Sequence, residues 1–404
     1  MDATSSGHNR SRLRRFCLGG LSLALAAAIW LPSVHLCFRP DLSSYRPADG
    51  VGPKARLMAN RQVSFWSDAD RRRRELRGMR SANPEWDFMG RTFFVLALAN
   101  MIERDPSLRG EYLPLMDAII DETLDVERTD GMFHFLMPYA KSAPFRRQPA
   151  RSLFVDGEIA LMLGARRLIQ DDETYRRAMR ERIDIILSQM RNGPMLCAES
   201  YPDECWTFCN TMALAAIRIG DYLDQTDHSD FFARWIATAR KKLVHPETGL
   251  LVSEFDLDGD WHDGPEGSSI WMIAHCLQLV DADFARDQYE RARKELDQSR
   301  LGFGGASEWP GSWRGPMDVD SGPTVPLLNF NAGSSGLAFI GAAAFDDDEF
   351  LTRLLTSVSF AGLPSESDGE LRYLAGNQVG DAVLLYSLVL GPLWDRVTAE
   401  AGGQ

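Results

Sequence analysis

The densest group of potentially reactive side chains lies between residues 197 and 210. It contains Cys197, Glu199, Tyr201, Asp203, Glu204, Cys205, Trp206, Phe208, Cys209 and Asn210. Acidic residues at a helix start interact favourably with the helix dipole, which would account for Asp203 and Glu204. That explanation leaves the thiols and the aromatic rings without a role. A thiol at a helix N-terminus can have a lowered pKa and take part in proton transfer, so this segment is the first candidate site.

Three smaller groups combine acids with aromatic or amide side chains. They are Asp156-Gly157-Glu158, then Glu308-Trp309 with Asp318 and Asp320, and finally Tyr373 with Asn377. Asp318 and Asp320 are separated by one residue, but no histidine pair with ligand-like spacing accompanies them. We therefore predict no metal and no cofactor. Carboxyl groups in an apolar, aromatic pocket have raised pKa values, and Glu158, Glu199, Asp203 and Glu308 fit that requirement by type.

Helical patterns separated by one recurring kind of loop position these groups. Apolar periodicity predicts helices over residues 91–103, 114–127, 158–169, 174–190, 211–223, 229–243, 270–279, 284–296, 333–344, 349–357 and 380–397. The helices come in pairs, and the loops between pairs share a Gly turn followed by a short apolar run, as in residues 129–133 and 247–251. Five or six such units predict an all-α, (α/α)6 toroid. An open solenoid of helical hairpins is the alternative, and the Trp-rich loops favour the closed ring.

Length and charge limit the classes of function. The chain has 404 residues, of which 44 are Lys or Arg and 57 are Asp or Glu, and its net charge is −13. Such a surface repels nucleic acid, so we predict no nucleic-acid partner. Six cysteines are too few for a disulfide scaffold. Whether Cys197, Cys205 and Cys209 are free or disulfide-bonded is open, and it depends on the compartment.

The N-terminus has the pattern of a membrane anchor. Four arginines between residues 10 and 15 precede residues 16–38, which contain no Asp, Glu, Lys or Arg. That length spans a bilayer core, and the basic flank favours the cytoplasm. We therefore predict a cytoplasmic tail (1–15), a transmembrane signal-anchor (16–38), a linker (39–56) and one extracytoplasmic domain (57–404). A cleaved signal peptide is the competing interpretation.

Three motifs resemble the linalool dehydratase-isomerase family. They are residues 201–211, the helix start at residues 156–162 and the turn at residues 245–249. The resemblance implies an (α/α)6 barrel that is exported and that interconverts monoterpene alcohols and an alkene without a cofactor. It also implies a cavity at a subunit interface, and hence a homo-oligomer. Cys209 matches one functional cysteine of the family, whereas the second cysteine position holds Ser200 and the histidine position holds Glu158.

From the residues and the resemblance together we predict the site. The predicted catalytic residues are Glu158, Glu199, Asp203, Cys209 and Glu308. The predicted substrate-binding residues are Asp156, Tyr201, Trp206, Phe208, Asn210, Trp309, Asp320, Tyr373 and Asn377. The predicted function is a cofactor-free lyase or isomerase that acts on a small or lipid-like, terpenoid-type alcohol. A glycan-active hydrolase, lyase or epimerase and a non-catalytic binding module are the alternatives.

Overall fold

The computed structural model describes residues 5–315, 317 and 321–399 of the chain. The first helices are α1 (Ser5–Ser33), α2 (Leu42–Tyr45), α3 (Pro53–Ser67) and α4 (Ala69–Ala82). The following helices are α5 (Glu85–Arg104), α6 (Arg109–Asp130), α7 (Leu153–Ile169), α8 (Glu173–Met190), α9 (Thr207–Asp224) and α10 (Ser229–Lys242). The last are α11 (Gly267–Leu277), α12 (Ala282–Leu296), α13 (Ala332–Ala344), α14 (Asp348–Ala361), α15 (Gln378–Val389) and α16 (Pro392–Ala399).

Short 3-10 helices and two-stranded sheets occur in the loops. The 3-10 helices are Val34–Cys37, Pro106–Leu108, Met132–His134 and Pro138–Lys141. The strands are β1 (Cys205–Trp206), β2 (Glu254–Phe255), β3 (Thr324–Val325), β4 (Phe330–Asn331), β5 (Pro364–Ser367) and β6 (Glu370–Tyr373). They pair antiparallel as β1-β2, β3-β4 and β5-β6. An isolated bridge between Val244 and Leu251 precedes β2 in the chain.

Six helices form a closed inner ring. Helices α5, α7, α9, α11, α13 and α15 each pack against the next, and α15 packs against α5. Helices α6, α8, α12 and α14 pack outside the ring, and α3 and α4 cover α15 and α5. The predicted all-α (α/α)6 toroid is therefore confirmed, and the open solenoid is excluded because the ring closes.

The two layers differ in their apolar patterns. The outer helix α10 buries one stripe, Phe231, Phe232, Trp235, Ile236 and Ala239, and leaves its other face in water. The inner helix α7 is buried along its whole length because neighbours and the outer layer cover every side. An all-round apolar helix has no clear amphipathic period, so its start is hard to find from sequence. Accordingly, the inner helices α5, α7 and α9 begin four to six residues before their predicted starts at 91, 158 and 211.

The inner helices run parallel, so their first turns gather at one end of the barrel. We call this end the N-terminal rim: the first turns of the six inner helices and the loops that precede them. Backbone hydrogen bonds join these loops, from Leu153 N to Glu199 O (2.8 Å), from Thr207 N to Ser253 O (2.8 Å) and from Gly267 N to Glu308 O (2.7 Å). The last predicted helix, 380–397, is divided at Gly391, whose φ of +128° suits glycine. The resulting α16 packs across the opposite end.

Within the N-terminal segment, the structure differs from the prediction at residues 39–56. The structure has one helix near the N-terminus that is long and apolar enough to cross a membrane, and it is not buried against the domain. Residues 39–56, predicted as a linker, instead pack against the barrel. Tyr45 is buried, and its hydroxyl lies 3.3 Å from that of Tyr373. Arg46 donates hydrogen bonds to the carbonyls of Ala343 (3.3 Å) and Leu390 (2.9 Å). The prolines and glycines that suggested a linker belong to turns on the surface of the domain.

Candidate active site

Helix α7 places two acidic residues on opposite sides of the barrel wall. Asp156 and Glu158 are two positions apart, so their side chains diverge by about 200° around the helix axis. Asp156 points outward and forms ion pairs with Arg151 and Arg182, which also bind Glu127. Glu158 points into the barrel and is 1% exposed. Of the two, only Glu158 is placed to meet a molecule inside the ring.

The Glu158 carboxyl is buried with one oxygen unsatisfied. The Thr92 hydroxyl donates a hydrogen bond of 2.6 Å to Oε2. Among the described residues, Oε1 has no hydrogen-bond partner. Burial raises the pKa of Glu158 to about 8, and the Glu85 carboxyl adds to the effect while Thr92 opposes it. The group is therefore mostly a neutral carboxylic acid at pH 7, with a proton that it can donate.

Cys209 lies in the first turn of α9, close to Glu158. Its thiol is buried beside the Ser200 hydroxyl and interacts electrostatically with Glu158 and Glu85. Burial raises the pKa of Cys209 well above its usual range, and the two carboxyl groups add to this. The thiol is therefore neutral at pH 7, contrary to the lowered pKa that a helix N-terminus alone would give. A neutral thiol can relay a proton but is a poor nucleophile.

Tyr201 and Glu85 form a second proton-carrying pair at the rim. The Tyr201 hydroxyl donates to Glu85 Oε1 and accepts a hydrogen bond from Met137 N (2.9 Å). Its ring stacks on Tyr139, with centroids 4.8 Å apart. Burial and the Glu85 charge raise the pKa of Tyr201 well above its usual range, so the phenol keeps its proton. Glu85 is the first residue of α5, where the helix dipole stabilises a carboxylate.

Buried aromatic rings lie one helical turn from Glu158 and from Thr92. Phe154 lies one turn before Glu158 on α7, and Phe88 lies one turn before Thr92 on α5. The Phe88 ring contacts Phe154 edge-on (5.2 Å between centroids) and stacks on Phe135 (4.4 Å). We call these three rings the aromatic wall, and buried apolar rings of this kind suit an apolar ligand.

Sequence reasoning missed Glu85, Thr92, Phe88 and Phe154. Glu85 and Phe88 lie in the first turns of α5, before the helix that the apolar period predicted from residue 91, and Thr92 lies just inside that predicted range. A capping signal was present, because Asn83 precedes Pro84 and accepts a hydrogen bond from Glu85 N at 2.8 Å.

Two predicted site residues hold the 197–206 loop in place. Glu199 Oε1 accepts hydrogen bonds from the backbone N–H groups of Arg146 (2.9 Å) and Asp203 (2.8 Å), and Oε2 accepts one from Arg147 (2.8 Å). Asn210 binds Ala198 N (3.2 Å) and Trp206 O (2.8 Å) through its amide. Both side chains are buried in these contacts. Their geometry positions Ser200 and Tyr201, and the roles first predicted for them remain predictions.

Other predicted residues of this segment lie at its surface or beside the site. Asp203 is half-exposed and pairs with Arg146 at 2.7 Å. Trp206 is half-buried, and its Nε1 donates to Glu204 Oε2 at 3.4 Å. Phe208 is buried in the first turn of α9, next to Cys209.

The predicted residues of the later loops lie elsewhere on the rim. Glu308 accepts a hydrogen bond from the Ser268 hydroxyl at the start of α11. Trp309 stacks on Trp313 with centroids 6.0 Å apart. Tyr373 contacts Tyr45, and Asn377 caps α15 by accepting from Gly380 N at 2.9 Å. Asp320 lies outside the described residues. In the described part of the chain, no hydrogen bond or ring contact joins Trp309, Tyr373 or Asn377 to Glu158 or Cys209.

The thiols of the segment fall into two groups. Cys197 and Cys205 are buried with sulfur atoms 3.4 Å apart, and Cys209 is not with them. All of the cysteines are free thiols in this structure. Among the described residues, no group of three or more His, Cys, Asp or Glu side chains is arranged to hold a metal ion.

The chain shows likeness to known proteins at two levels. Two solved structures are similar to this chain: a GH76A alpha-1,6-mannanase from Salegentibacter sp. HEL1_6 and a GH76 alpha-mannanase from Bacteroides thetaiotaomicron. The first is 12% identical over 76% of this chain and 88% of its own, with a TM-score of 0.48. The second is 13% identical over 77% and 87%, with a TM-score of 0.46. No curated protein matches the sequence.

The family match is of a different kind, because it rests on sequence. The family model for linalool dehydratase/isomerase matches residues 156–379, which include Glu158, Ser200, Tyr201 and Cys209. It excludes Glu85 and Thr92. Since the matched range spans more than half of the chain, this protein belongs to the linalool dehydratase/isomerase family.

Proposed function

We propose that the protein is a cofactor-free lyase or isomerase that acts on a small or lipid-like apolar alcohol. The observation that carries this proposal is the Glu158 carboxyl, protonated at neutral pH, with Oε1 unpartnered and beside an aromatic wall. Removal of a hydroxyl group needs an acid for the leaving oxygen and a base for a neighbouring proton. Glu158 supplies the acid, and the Glu85–Tyr201 pair supplies the base.

The proposed steps balance without a cofactor. Glu158 protonates the hydroxyl oxygen, and the C–O bond breaks with its electron pair leaving on water. The faces of Phe88 and Phe154 stabilise the cationic carbon. Glu85 accepts a proton from the adjacent carbon, and the electrons of that C–H bond form the alkene. For an allylic substrate, return of the water to the other allylic carbon gives the isomeric alcohol instead.

Cys209 completes the cycle in this proposal. Its thiol interacts electrostatically with both Glu85 and Glu158. A neutral thiol accepts a proton at sulfur as it donates its own, so it returns the proton from Glu85 to Glu158. The Ser200 hydroxyl lies beside the thiol.

The test is an alcohol-turnover assay with variants and a matched control. The full chain in detergent or nanodiscs is given a panel of allylic and saturated apolar alcohols, and products are identified by gas chromatography and mass spectrometry. Glu158→Gln should lose activity by about 100-fold or more. Asp381→Asn is the matched control, because burial raises the pKa of Asp381 to about 7 at a place next to Arg61. Full activity of Cys209→Ala on every accepted alcohol would show that Cys209 does not relay the proton.

A second group of acids supports a glycan-active alternative. Burial raises the pKa of Glu254 to about 7, the Glu204 charge adds to this, and His262 Nδ1 lies 2.8 Å from Glu254 Oε1. Tyr139 donates to Glu204 Oε2 at 3.1 Å, which adds a partly exposed ring for sugar stacking. Release of sugars from a polysaccharide panel, abolished by Glu254→Gln and untouched by Glu158→Gln, would favour this function. The absence of product in both the alcohol and the polysaccharide assay would favour a non-catalytic binding module.

We also propose that α1 crosses a membrane and that the barrel lies on its extracytoplasmic side. The uncharged stretch after the N-terminal arginines supports this. A reporter active only outside the cytoplasm, fused to the C-terminus, should be active. Activity of a cytoplasmic reporter, together with protection from added protease, would reverse the orientation.

A further inference from the structure

The exposed apolar side chains of the barrel are gathered at one end. In the described part of the barrel, the large exposed apolar residues all lie in the loops that lead from an outer helix to the next inner helix, or in the last turn of α14. These loops belong to the N-terminal rim. The loops at the opposite end carry no large exposed apolar residue within the described ranges. One sector of the rim holds Leu301, Leu327, Leu328, Phe360, Leu363 and Leu374.

These side chains are neighbours on the surface. The Phe303 and Phe360 rings lie 5.3 Å apart, and Leu374 N donates a hydrogen bond to Leu363 O at 3.2 Å. The β3–β4 hairpin that carries Leu327 packs its Phe330 against Gly305, close in sequence to Leu301. We call the sector formed by the 301–305 loop, the β3–β4 hairpin and residues 360–374 the apolar sector.

The backbone conformation at its leucines is unusual. Leu301, Leu327 and Leu363 have φ of 50°, 68° and 51°, the left-handed region that Gly and Asn occupy most easily. Leu327 is also 95% exposed. A leucine there is unfavourable in water for both its backbone and its side chain. An apolar environment outside the barrel would therefore stabilise the exposed side chains of this sector.

The N-terminal helix joins the domain within this sector. His35 packs over Gly302 and meets the Phe303 ring edge-on, with centroids 6.4 Å apart. Phe38 contacts Phe360 in the same way at 4.9 Å. Helix α1 ends at Ser33, so there is no spacer between the apolar helix and the rim. If α1 crosses a bilayer, the apolar sector lies at the surface of that bilayer.

We propose that the apolar sector of the N-terminal rim docks onto the lipid bilayer next to α1. The loop tips insert Leu301, Leu327 and Leu363 below the headgroups, and the partly exposed Tyr139 and Trp261 of the same rim suit the interfacial layer. The barrel mouth then opens towards the membrane. One consequence rests on the proposed function: an apolar alcohol reaches Glu158 from the lipid. The docking itself does not depend on that function.

The test measures how deep a loop tip lies in the membrane. Cys17 and Cys37, the exposed cysteines, are replaced by serine, and Leu327→Cys is labelled with an environment-sensitive fluorophore in the full chain. Gln225→Cys is the matched control, because Gln225 is exposed, has φ of 54° and lies at the opposite end of the barrel. The protein is reconstituted in vesicles that contain lipids with a quencher on the acyl chain.

The label at position 327 should be blue-shifted and quenched by the lipid-borne quencher, whereas the label at 225 should be neither. Equal, water-like emission at both positions would overturn the proposal. A blue-shifted but unquenched label at 327 would show that a second protein copy covers the sector, and it would also overturn the proposal. These results are independent of alcohol turnover.

A second measurement separates docking from a folding role of the leucines. The triple variant Leu301→Asn, Leu327→Asn, Leu363→Asn should have an unchanged or higher Tm in detergent, because Asn accepts these backbone angles more easily. Its β3–β4 hairpin should also become accessible to added protease in vesicles. A markedly lower Tm would show that the leucines serve the fold.

Discussion

At the residue scale, the site depends on which face of a helix each acid occupies. Asp156 and Glu158 are alike in sequence context. Asp156, however, forms ion pairs with arginines outside the ring, whereas Glu158 lies inside the ring. The sequence predicted both residues, together with Tyr201 and Cys209, as members of the site. It did not reveal that Glu85 and Thr92 face them, because the contact joins helices far apart in the chain. The burial that sets the protonation state of Glu158 is likewise a property of the packed barrel.

The raised pKa of Glu158 predicts that activity and stability both fall as the pH rises, each over its own pH range. Its pKa is about 8 in the folded protein and 4.5 in an exposed chain. The acid form that the proposed chemistry needs is therefore present below pH 8, and activity should fall as pH rises through 8. Stability should fall over the range from 4.5 to 8, where the unfolded chain ionises and the folded protein does not. Glu158→Gln should remove most of that loss.

The measurement is Tm against pH for both proteins in the same detergent. Glu158→Gln should be inactive and yet more stable than the parent chain at pH 8 to 9, since no buried charge has to form. Identical pH profiles of Tm for the two proteins would show that Glu158 ionises normally.

Cys197 and Cys205 should form a disulfide under mild oxidation while Cys209 remains a thiol. The first two sulfur atoms are 3.4 Å apart, close enough for small movements to bring them to bonding distance. Diamide would accept the two electrons and two protons that the thiols lose. Peptide mapping under non-reducing conditions should find the 197–205 link, with Cys205→Ala as the control. A link that includes Cys209 would contradict this arrangement.

At the element scale, the starts of most outer helices were predicted more accurately than those of the inner helices α5, α7 and α9. Helix α10 matched its predicted range of 229–243 within one residue because it has one apolar face and one wet face. The inner helices are covered on all sides, so their first turns, which carry much of the site, lacked a periodic signal. Loops that contain the remaining site residues are ordered by specific hydrogen bonds, as Glu199 illustrates.

Replacement of Glu199 by Gln tests the element that supports Ser200 and Tyr201. The carboxylate accepts three backbone N–H bonds on its two oxygens. Gln offers one acceptor oxygen and would turn an N–H group towards a backbone donor, which costs about 1–3 kcal/mol. Thermal unfolding should show that loss, and Glu290→Gln on the exposed face of α12 should not. The pH at which activity falls should stay near that of the parent chain, whereas a shifted profile would give Glu199 a direct part in proton transfer.

At the scale of the whole molecule, the sequence predicted both the closed ring and the apolar helix, but it did not predict how they join. Proline and glycine at residues 40–53 resemble a linker, and composition alone does not reveal that Tyr45 and Arg46 find partners on α13, α15 and β6. If α1 crosses a membrane, as proposed, the junction determines which end of the barrel faces it. That orientation follows from contacts between residues about 270 to 320 positions apart, which one sequence does not display.

Two deletions distinguish a linker from an integral segment at this junction. Removal of residues 1–40 eliminates α1 but keeps the Tyr45–Tyr373 contact and the hydrogen bonds from Arg46 to Ala343 and Leu390. This shorter chain should fold, leave the pelleted membranes and keep weak, reversible binding to vesicles through the apolar sector. Removal of residues 1–51 also takes away Tyr45 and Arg46, so the Ala343 carbonyl loses its Arg46 donor, and the Leu390 carbonyl keeps only the hydrogen bond from Arg104 (3.0 Å). Its Tm should be several degrees lower than that of the first deletion. Equal Tm values would restore the linker interpretation, because they would show that residues 41–51 contribute nothing to the folded barrel.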